Sequence, residues 1–429
     1  MKKYILLLFL LMIMLVSTAL NQQVFSQTDT LTLDFCQQKA LENYPLLKQK
    51  NLLNNASEIN LSDNAKAYLP QIALNGQATY QSETTELPIK IPNVEIPSLY
   101  KDAYKATLDV TQVIYDGGLV SAKNKLEKAS IQADLQSVES ELYKLKDKVN
   151  TIYFSIITLQ ENKKLLKISK KDVQNKLAKI ESGVKNGVVL ESNALVLKAE
   201  IIKIDQQISE IDYSISSGYK MLGDYLNITI PDSAKLKLPE ASVISTNYDN
   251  KRPEVKVFEL QEQKLDISKS LLDCKLMPKV AAFGQLGYGR PGLNMLSNTF
   301  DAFYMLGAKV SWTLWDWNET KNDKKIIDIQ KQVLETQKET FNQGIKILLE
   351  KYIADIAKYE NMIESDNDII SIREKVVKTA ESQLENGTIT STEYLTEMNN
   401  LLQSKINLQS HKILLAKTKV DYLTLKGNF

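Results

Sequence analysis

The stretch Ile114-Tyr115-Asp116-Gly117-Gly118, followed by 68 residues from Leu119 to Asn186 without a proline, decides the fold of this chain. An alternating apolar run ends in a tight turn and gives way to a segment that, as one helix, would be about 100 Å long at ~1.5 Å per residue. Helices of ordinary globular domains run ~10–14 residues. The same juncture returns 200 residues later as Leu314-Trp315-Asp316-Trp317-Asn318, and Glu319 to Asn386 is again 68 residues free of proline.

Upstream, Pro45 and Pro70 match Pro253 and Pro278 at an offset of 208, so the loop inside the first copy is eight residues longer. Downstream, Asn186-Gly187 and Asn386-Gly387 interrupt the long segments, and Asp224-Tyr225-Leu226 and Asp421-Tyr422-Leu423 close the copies. The chain is therefore a two-fold repeat rather than a solenoid. Each copy reads helix, strand, strand, very long helix, turn, returning helix. The expected division is a signal peptide over 1–26, a first repeat over 27–227, a connector over 228–252 and a second repeat over 253–429.

The long segments carry coiled-coil seams. Leu142, Leu145, Val149, Ile152, Ile156, Leu159, Leu166, Val173, Leu177, Ile180 and Val184 follow a 3-4 spacing broken only at Lys163 and Lys170. Leu349, Ile356, Ile363, Ile370, Val377 and Leu384 are strictly seven-spaced, the period that keeps one seam against a partner helix. Leu197, Ile201, Ile204, Ile208, Ile211 and Ile215 continue the seam after the first turn, which predicts an antiparallel hairpin at each Asn-Gly. The hairpin covers part of each rod, and the helix ahead of each strand pair matches the rest.

The four strands alternate in phase. Ile72, Leu74, Ala78 and Tyr80, then Tyr104, Ala106, Leu108 and Val110, then Val280, Ala282, Leu286 and Tyr288, then Tyr304, Leu306, Ala308, Val310 and Trp312 make one apolar face. Gln71, Asn75, Gln77, Thr79, Lys105, Thr107, Asp109, Gln285, Lys309 and Ser311 make the other. Runs of ~9–11 residues with this period suit tilted strands crossing a bilayer. A small soluble sandwich would have the same alternation. The N-terminus argues for export: Lys2-Lys3, an apolar run from Ile5 to Val16 and a polar zone through Ser26 have the order of a secretory signal peptide. A membrane barrel needs about eight strands to close, so four demand self-assembly.

Composition removes other classes. With 53 basic and 52 acidic residues the net charge is +1, which provides no field for nucleic acid. Nucleotide-loop and zinc-helix motifs are absent from the sequence, and the sole histidine is His411, so the reading is a passive conduit, not an enzyme, with no cofactor and no metal. Cys36 and Cys274 are expected to stay unpaired, since the repeat offset separates them by roughly 45 Å along a rod. Neither lies by the cleavage zone, so no lipid anchor is expected.

Three short motifs then resemble the TolC-like outer-membrane efflux factors: Leu31-Thr32-Leu33 to Ala40-Leu41-Glu42-Asn43-Tyr44-Pro45, Lys251-Arg252-Pro253-Glu254, and Val113-Ile114-Tyr115-Asp116-Gly117-Gly118. The resemblance covers essentially the whole mature sequence. It implies a mainly α protein with a membrane β-barrel part: a homotrimer with a twelve-stranded barrel in outer-membrane lipid and coiled-coil helices forming a periplasmic α-barrel. It implies docking to a periplasmic adaptor (membrane fusion) protein and an inner-membrane pump of the RND or ABC type. The exit component of a type I protein secretion system and a structural periplasmic coiled-coil protein remain alternatives.

The resemblance assigns the tips to adaptor docking, here Asn186, Gly187 and Val188 in the first copy and Asn386, Gly387, Thr388 and Thr390 in the second. Gly387, Thr390 and Glu393 match the family's Gly-x-x-Thr-x-x-acid pattern, and Thr390 to Glu393 reads as a capping box. The first copy has Gly187, Leu190 and Asn193 instead, without cap or acid. Glu393, Glu397 and Asn193 are the candidate constriction. Lys105, Asp109 and Lys309 are candidate lumen-facing groups, and Asp109 and Lys309, equivalent by the offset, either pair or line the pore. Solvated coiled-coil or surface charges are the plain reading of all these groups.

Overall fold

The computed structural model describes residues 30–84, 99–242 and 250–427. The expected signal peptide lies outside them. The elements are α1 (Leu33–Asn43), α2 (Leu47–Ala65), β1 (Gln71–Tyr80), β2 (Asp102–Tyr115), α3 (Leu119–Tyr143), α4 (Leu145–Lys185), α5 (Glu191–Leu226), α6 (Pro253–Asp273), β3 (Lys279–Arg290), β4 (Asp301–Ser311), α7 (Glu319–Glu385) and α8 (Ser391–Lys426). The 67-residue α7 is unbroken, whereas the first rod is interrupted at Lys144. That break coincides with Tyr143, whose hydroxyl donates to the Thr424 carbonyl at 2.6 Å. No described helix is long and apolar enough to cross a membrane. The chain divides into two compact units.

One unit comprises Asn51–Leu135 and Val257–Gln337. Its sheet has the order β1-β2-β3-β4, antiparallel throughout, so the two copies' hairpins join through β2 and β3 into a single sheet. Gln71 faces Thr111, Tyr104 faces Arg290 and Lys279 faces Ser311, with a bulge between Val113 and Tyr115. β1 and β4 are edges without a further strand partner among the described residues, and both are almost wholly exposed.

The apolar face is bare: Leu74 is 80% exposed and Leu306 76%. The opposite face is less polar than the alternation predicts, because Phe283, Phe303 and Met305 share it with Gln285 and Lys309. The physical reason lies in two glycines. A Cβ at Gly287 would fall 2.1 Å from the Phe303 ring, and one at Gly307 would fall 2.7 Å from the Phe283 ring, so each ring covers the glycine opposite. β4 also stops at Ser311, one residue short of Trp312, whose indole N–H donates to the Leu276 carbonyl at 3.0 Å.

The strand exits repeat in geometry as well as sequence. The Asp116 carboxylate accepts from the N–H groups of Gly118 (2.8 Å) and Val120 (2.6 Å), and Asp316 from those of Asn318 (3.1 Å) and Thr320 (2.9 Å). Gly117 and Gly118 have φ of 73° and 85°, and their counterparts Trp317 and Asn318 adopt the same left-handed region at 54° and 65°. Below the turns, α6 and the short turn after it run against α7 through Lys331–Asp266 (2.9 Å), Lys275–Asp323 (2.9 Å), Lys269–Asp328 and Lys324–Asp273. This is the expected matching of a rod by the helix leading into its strand pair.

The other unit comprises the described residues up to Lys50, those of Gln136–Lys256 and those from Lys338 on. The first seam is buried as predicted, with Val149 and Ile156 at 0% and Val173 at 1% exposure. The two breaks in that seam become cross-helix ion pairs, Lys163 with Asp212 and Lys170 with Asp205, which set the antiparallel register of α4 and α5. Around Tyr153, Phe154, Tyr219 and Leu222 the core also takes in Leu31, Leu33, Cys36 and Ala40. Leu31 bridges to Leu236, and so ties the connector to the first repeat. Within this core Gln37 donates to Asn150 at 2.6 Å, which satisfies two buried amides. Arg252, 7% exposed, sits over the rings of Tyr143 (5.2 Å) and Phe341 (6.0 Å) while its guanidinium grips Glu254, which gives the Arg-Pro-Glu motif its physical reason. Cys36 and Cys274 are both free and buried.

Candidate functional site: the two helical tips

Each tip begins where a seam runs out. At the first, the N–H of Gly187 donates to Val184 (3.0 Å) and that of Val188 to Gly183 (3.0 Å). At the second, Gly387 donates to Leu384 (3.1 Å) and Thr388 to Gln383 (2.9 Å). These paired bonds satisfy the last carbonyls of a helix and require a left-handed residue between them. Gly187 at φ 72° and Gly387 at 70° supply it, and no atom lies within 4 Å of a Cβ built on either, so conformation rather than space demands glycine.

Beyond the turns the copies diverge as their sequences do. Thr390 caps α8: its hydroxyl accepts from the Glu393 N–H at 3.2 Å, and the Glu393 carboxylate accepts from the Thr390 N–H at 2.7 Å. These bonds, the backbone one foremost, hold the Glu393 carboxyl below the usual glutamate range. Leu190 provides no cap, and at 74% exposure it forms with Val188 (77%) an apolar point on the first tip. Asn193 turns the other way, and its Oδ1 accepts from the Ser391 N–H at 2.9 Å, which binds the first tip to the second.

The candidate constriction residues thus all have local partners. Glu393 is engaged by its cap, Glu397 is 2.9 Å from the Arg373 guanidinium, and Asn193 holds Ser391. Glu393 and Glu397 also line an open groove of about 520 Å³ with Lys375, Val376, Thr379 and Gln383.

The residue that sequence reasoning missed is Lys176. It is 3% exposed, its ammonium reaches Glu381 (2.7 Å) and Glu385 (3.0 Å) of α7, and it lies 5.4 Å from the centre of the Tyr394 ring. Lys179 adds a second bond to Glu385 at 2.9 Å. Hydrogen bonds from Lys179 and Lys176, reinforced by their charges, pull the Glu385 carboxyl down to about 2. Burial, helped by nearby acids, pushes the Tyr394 hydroxyl up to about 12. Lys176 lies just before the seam residue Leu177 and outside the 3-4 row, so no spacing in the sequence marks it.

Of the strand candidates, Asp109 is a hub. Its carboxylate accepts from Asn75 (2.6 Å), Gln285 (2.6 Å) and Thr107 (3.0 Å). The register puts Lys309 opposite Ala281 and Asp109 opposite Gln285, so these equivalent charges do not pair. Lys105 lies 5.0 Å over the Phe303 ring.

Compared with known proteins, residues 37–218, within the first repeat, match the family model "Outer membrane efflux protein". No curated protein matches the chain significantly. Among solved structures the chain is similar to the outer membrane protein VceC of Vibrio cholerae, with TM-score 0.65 and 13% identity over 92% of this chain and 96% of that one. It is similar to the CmeC outer membrane channel of Campylobacter jejuni, with TM-score 0.64 and 15% identity over 92% and 86%. The open state of the MtrE outer membrane channel of Neisseria gonorrhoeae gives TM-score 0.64 and 14% identity over 92% and 89%. Such identities speak for the fold, and members of the matched family are channels rather than enzymes. The chain thus matches the outer membrane efflux protein model over residues 37–218 and shares the fold of the outer membrane proteins VceC, CmeC and MtrE through nearly its whole length.

Proposed function

We propose that three copies of this chain form the outer-membrane duct of a tripartite efflux system, with the tips meeting a periplasmic adaptor and, through it, an inner-membrane pump. The observation that carries this reading is a sheet with one bare apolar face and two unpartnered edges, β1 and β4. Open edges are not tolerated in hydrocarbon, so the sheet must close against further copies.

The second copy's long helix supports the same assembly. Besides its seam it has a second stripe at the same period, Leu348, Met362, Ile369 and Val376, interrupted once at Asp355, with all four apolar members at least 36% exposed. A helix with two apolar seams packs neighbours on two sides, as in a closed ring of helices. The exposed Val188 and Leu190 and the groove beside Glu393 give the tips a surface for the adaptor. Light scattering of the detergent-solubilised protein, corrected for bound detergent, tests the assembly. A mass of three chains is expected, and a monomer that conducts ions in planar bilayers overturns it.

A further inference from the structure

A cavity of about 400 Å³ opens on the Asp109-bearing face of the sheet at its helical end. Its walls are apolar: Val113, Tyr115, Leu119, Val120, Val280 and Ala281. Val113, Ala281 and Lys309 sit in one cross-strand row along it. That volume falls within the range of small-ligand sites, which combine an apolar body with a few polar groups.

The charges at its rim are unbalanced. Lys123, Lys279 and Lys309 are exposed, and none has an ion-pair partner among the described residues. Of the two rim carboxylates, Asp63 is paired with the Lys66 ammonium at 2.6 Å, and Asp116 is held by the N–H groups of Gly118 and Val120 but keeps its negative charge, so the rim stays net positive. Three ammonium groups without an ion-pair partner among the described residues, against the single charge of Asp116, leave an excess of positive charge around an apolar hollow and select a ligand with a negative head and an apolar body. A neutral amphiphile would leave the lysines unused, and a cationic one would be repelled.

We propose that this pocket binds a small amphiphilic anion, a carboxylate or sulfate bearing an apolar tail, through Lys123, Lys279 and Lys309. Binding follows from the pocket alone. That the occupant is a solute in transit rests on the duct reading, since this face then lines the lumen. The site would hold such solutes weakly where the sheet meets the helices.

The test is equilibrium binding of dodecanoate to the full assembly in phosphatidylcholine nanodiscs, with empty discs as the blank. We expect one saturable site per chain that weakens with added salt. Affinity should fall at least about tenfold in K123Q/K279Q/K309Q and return in K123R/K279R/K309R, since only charge is removed and restored. Dodecyltrimethylammonium should not compete. Equal binding by wild type and the glutamine variant, equal loss in both variants, or competition by the cation overturns the site. An anionic lipid copurifying at one per chain and displaced by dodecanoate overturns the transit role. Conductance is measured separately in planar bilayers, so failure of the duct reading and failure of the pocket are told apart.

Discussion

Asn193 Oδ1 accepts a hydrogen bond of 2.9 Å from the backbone N–H of Ser391, so the first tip caps the helix that starts the second. Ser391 is fully buried in the folded tips, so its N–H relies on this acceptor. Asn193→Ala should therefore cost about 1–2 kcal/mol at the tips, as loss of a helix cap does. Hydrogen exchange at the Ser391 amide reports it: faster exchange is expected in the alanine variant and wild-type protection in Asn193→Asp, which keeps the acceptor.

Lys176 joins the same two hairpins by charge. Replacing it with Met keeps most of the packing against Tyr394 and leaves Glu381 and Glu385 without their shared partner. Those carboxylates are partly exposed and rehydrate, so the expected loss is about 1–3 kcal/mol, the worth of a hydrogen bond to a charged group. Urea unfolding read by proteolysis at the tips should show it, and an unchanged midpoint would mean that the apolar seam alone holds the hairpins.

Acid should mimic that change. The Glu385 carboxyl sits at about 2 in the folded chain, against ~4.3 for a free glutamate. A lowered carboxyl contributes stability that is complete above the free value and is lost as pH falls through the window down to the folded value. Tip cleavage by an acid-tolerant protease should rise from about pH 4 to pH 2 in the wild type. In Glu385→Gln the Glu385-dependent part of that rise should disappear, because the variant lacks the titrating group.

The rods, hairpins and strand phases were legible because each follows from a spacing: seven for Leu349 to Leu384, two for Ile72 to Tyr80, and the Asn-Gly pairs that end each long segment. What the sequence hid lies across space. Lys163 and Lys170 look like faults in a seam until Asp212 and Asp205 arrive from the returning helix. Phe283 and Phe303 break the polar side of their strands because each answers a glycine on the neighbouring strand, a relation that exists only once the register is set. Glu393, Glu397 and Asn193 stand out in the sequence only as candidate types, and their engagement by Thr390, Arg373 and Ser391 needed the folded tips.

Trp317 occupies a left-handed position that the first copy gives to Gly117, and its side chain is 84% exposed. An L-residue there costs roughly 1–2 kcal/mol, against about 0.4–1 kcal/mol for glycine's added freedom in the unfolded chain, so Trp317→Gly should stabilise the turn by up to about 1 kcal/mol in thermal unfolding. The indole's place beside the sheet suits the membrane interface, where Trp is enriched. The same variant should therefore insert less efficiently into lipid vesicles, and wild-type insertion would mean that the indole has no interfacial role.

Charge at the second tip gives the most direct reading of the conduit. Glu393 is engaged only by neutral groups of Thr390, so its negative charge is uncompensated, whereas Arg373 offsets Glu397 at 2.9 Å. If three chains bring these groups around one axis, the ring is negative because of Glu393. Glutamine is the right replacement, since it preserves the capping box and removes only the charge. Glu393→Gln should lower cation selectivity in single-channel recordings, and Arg373→Gln should raise it by freeing Glu397, both effects fading as salt screens the ring. Opposite shifts with normal assembly would place both side chains along the conduction path. Identical selectivity in all three proteins would leave them as solvated coiled-coil residues, with the narrowest point elsewhere.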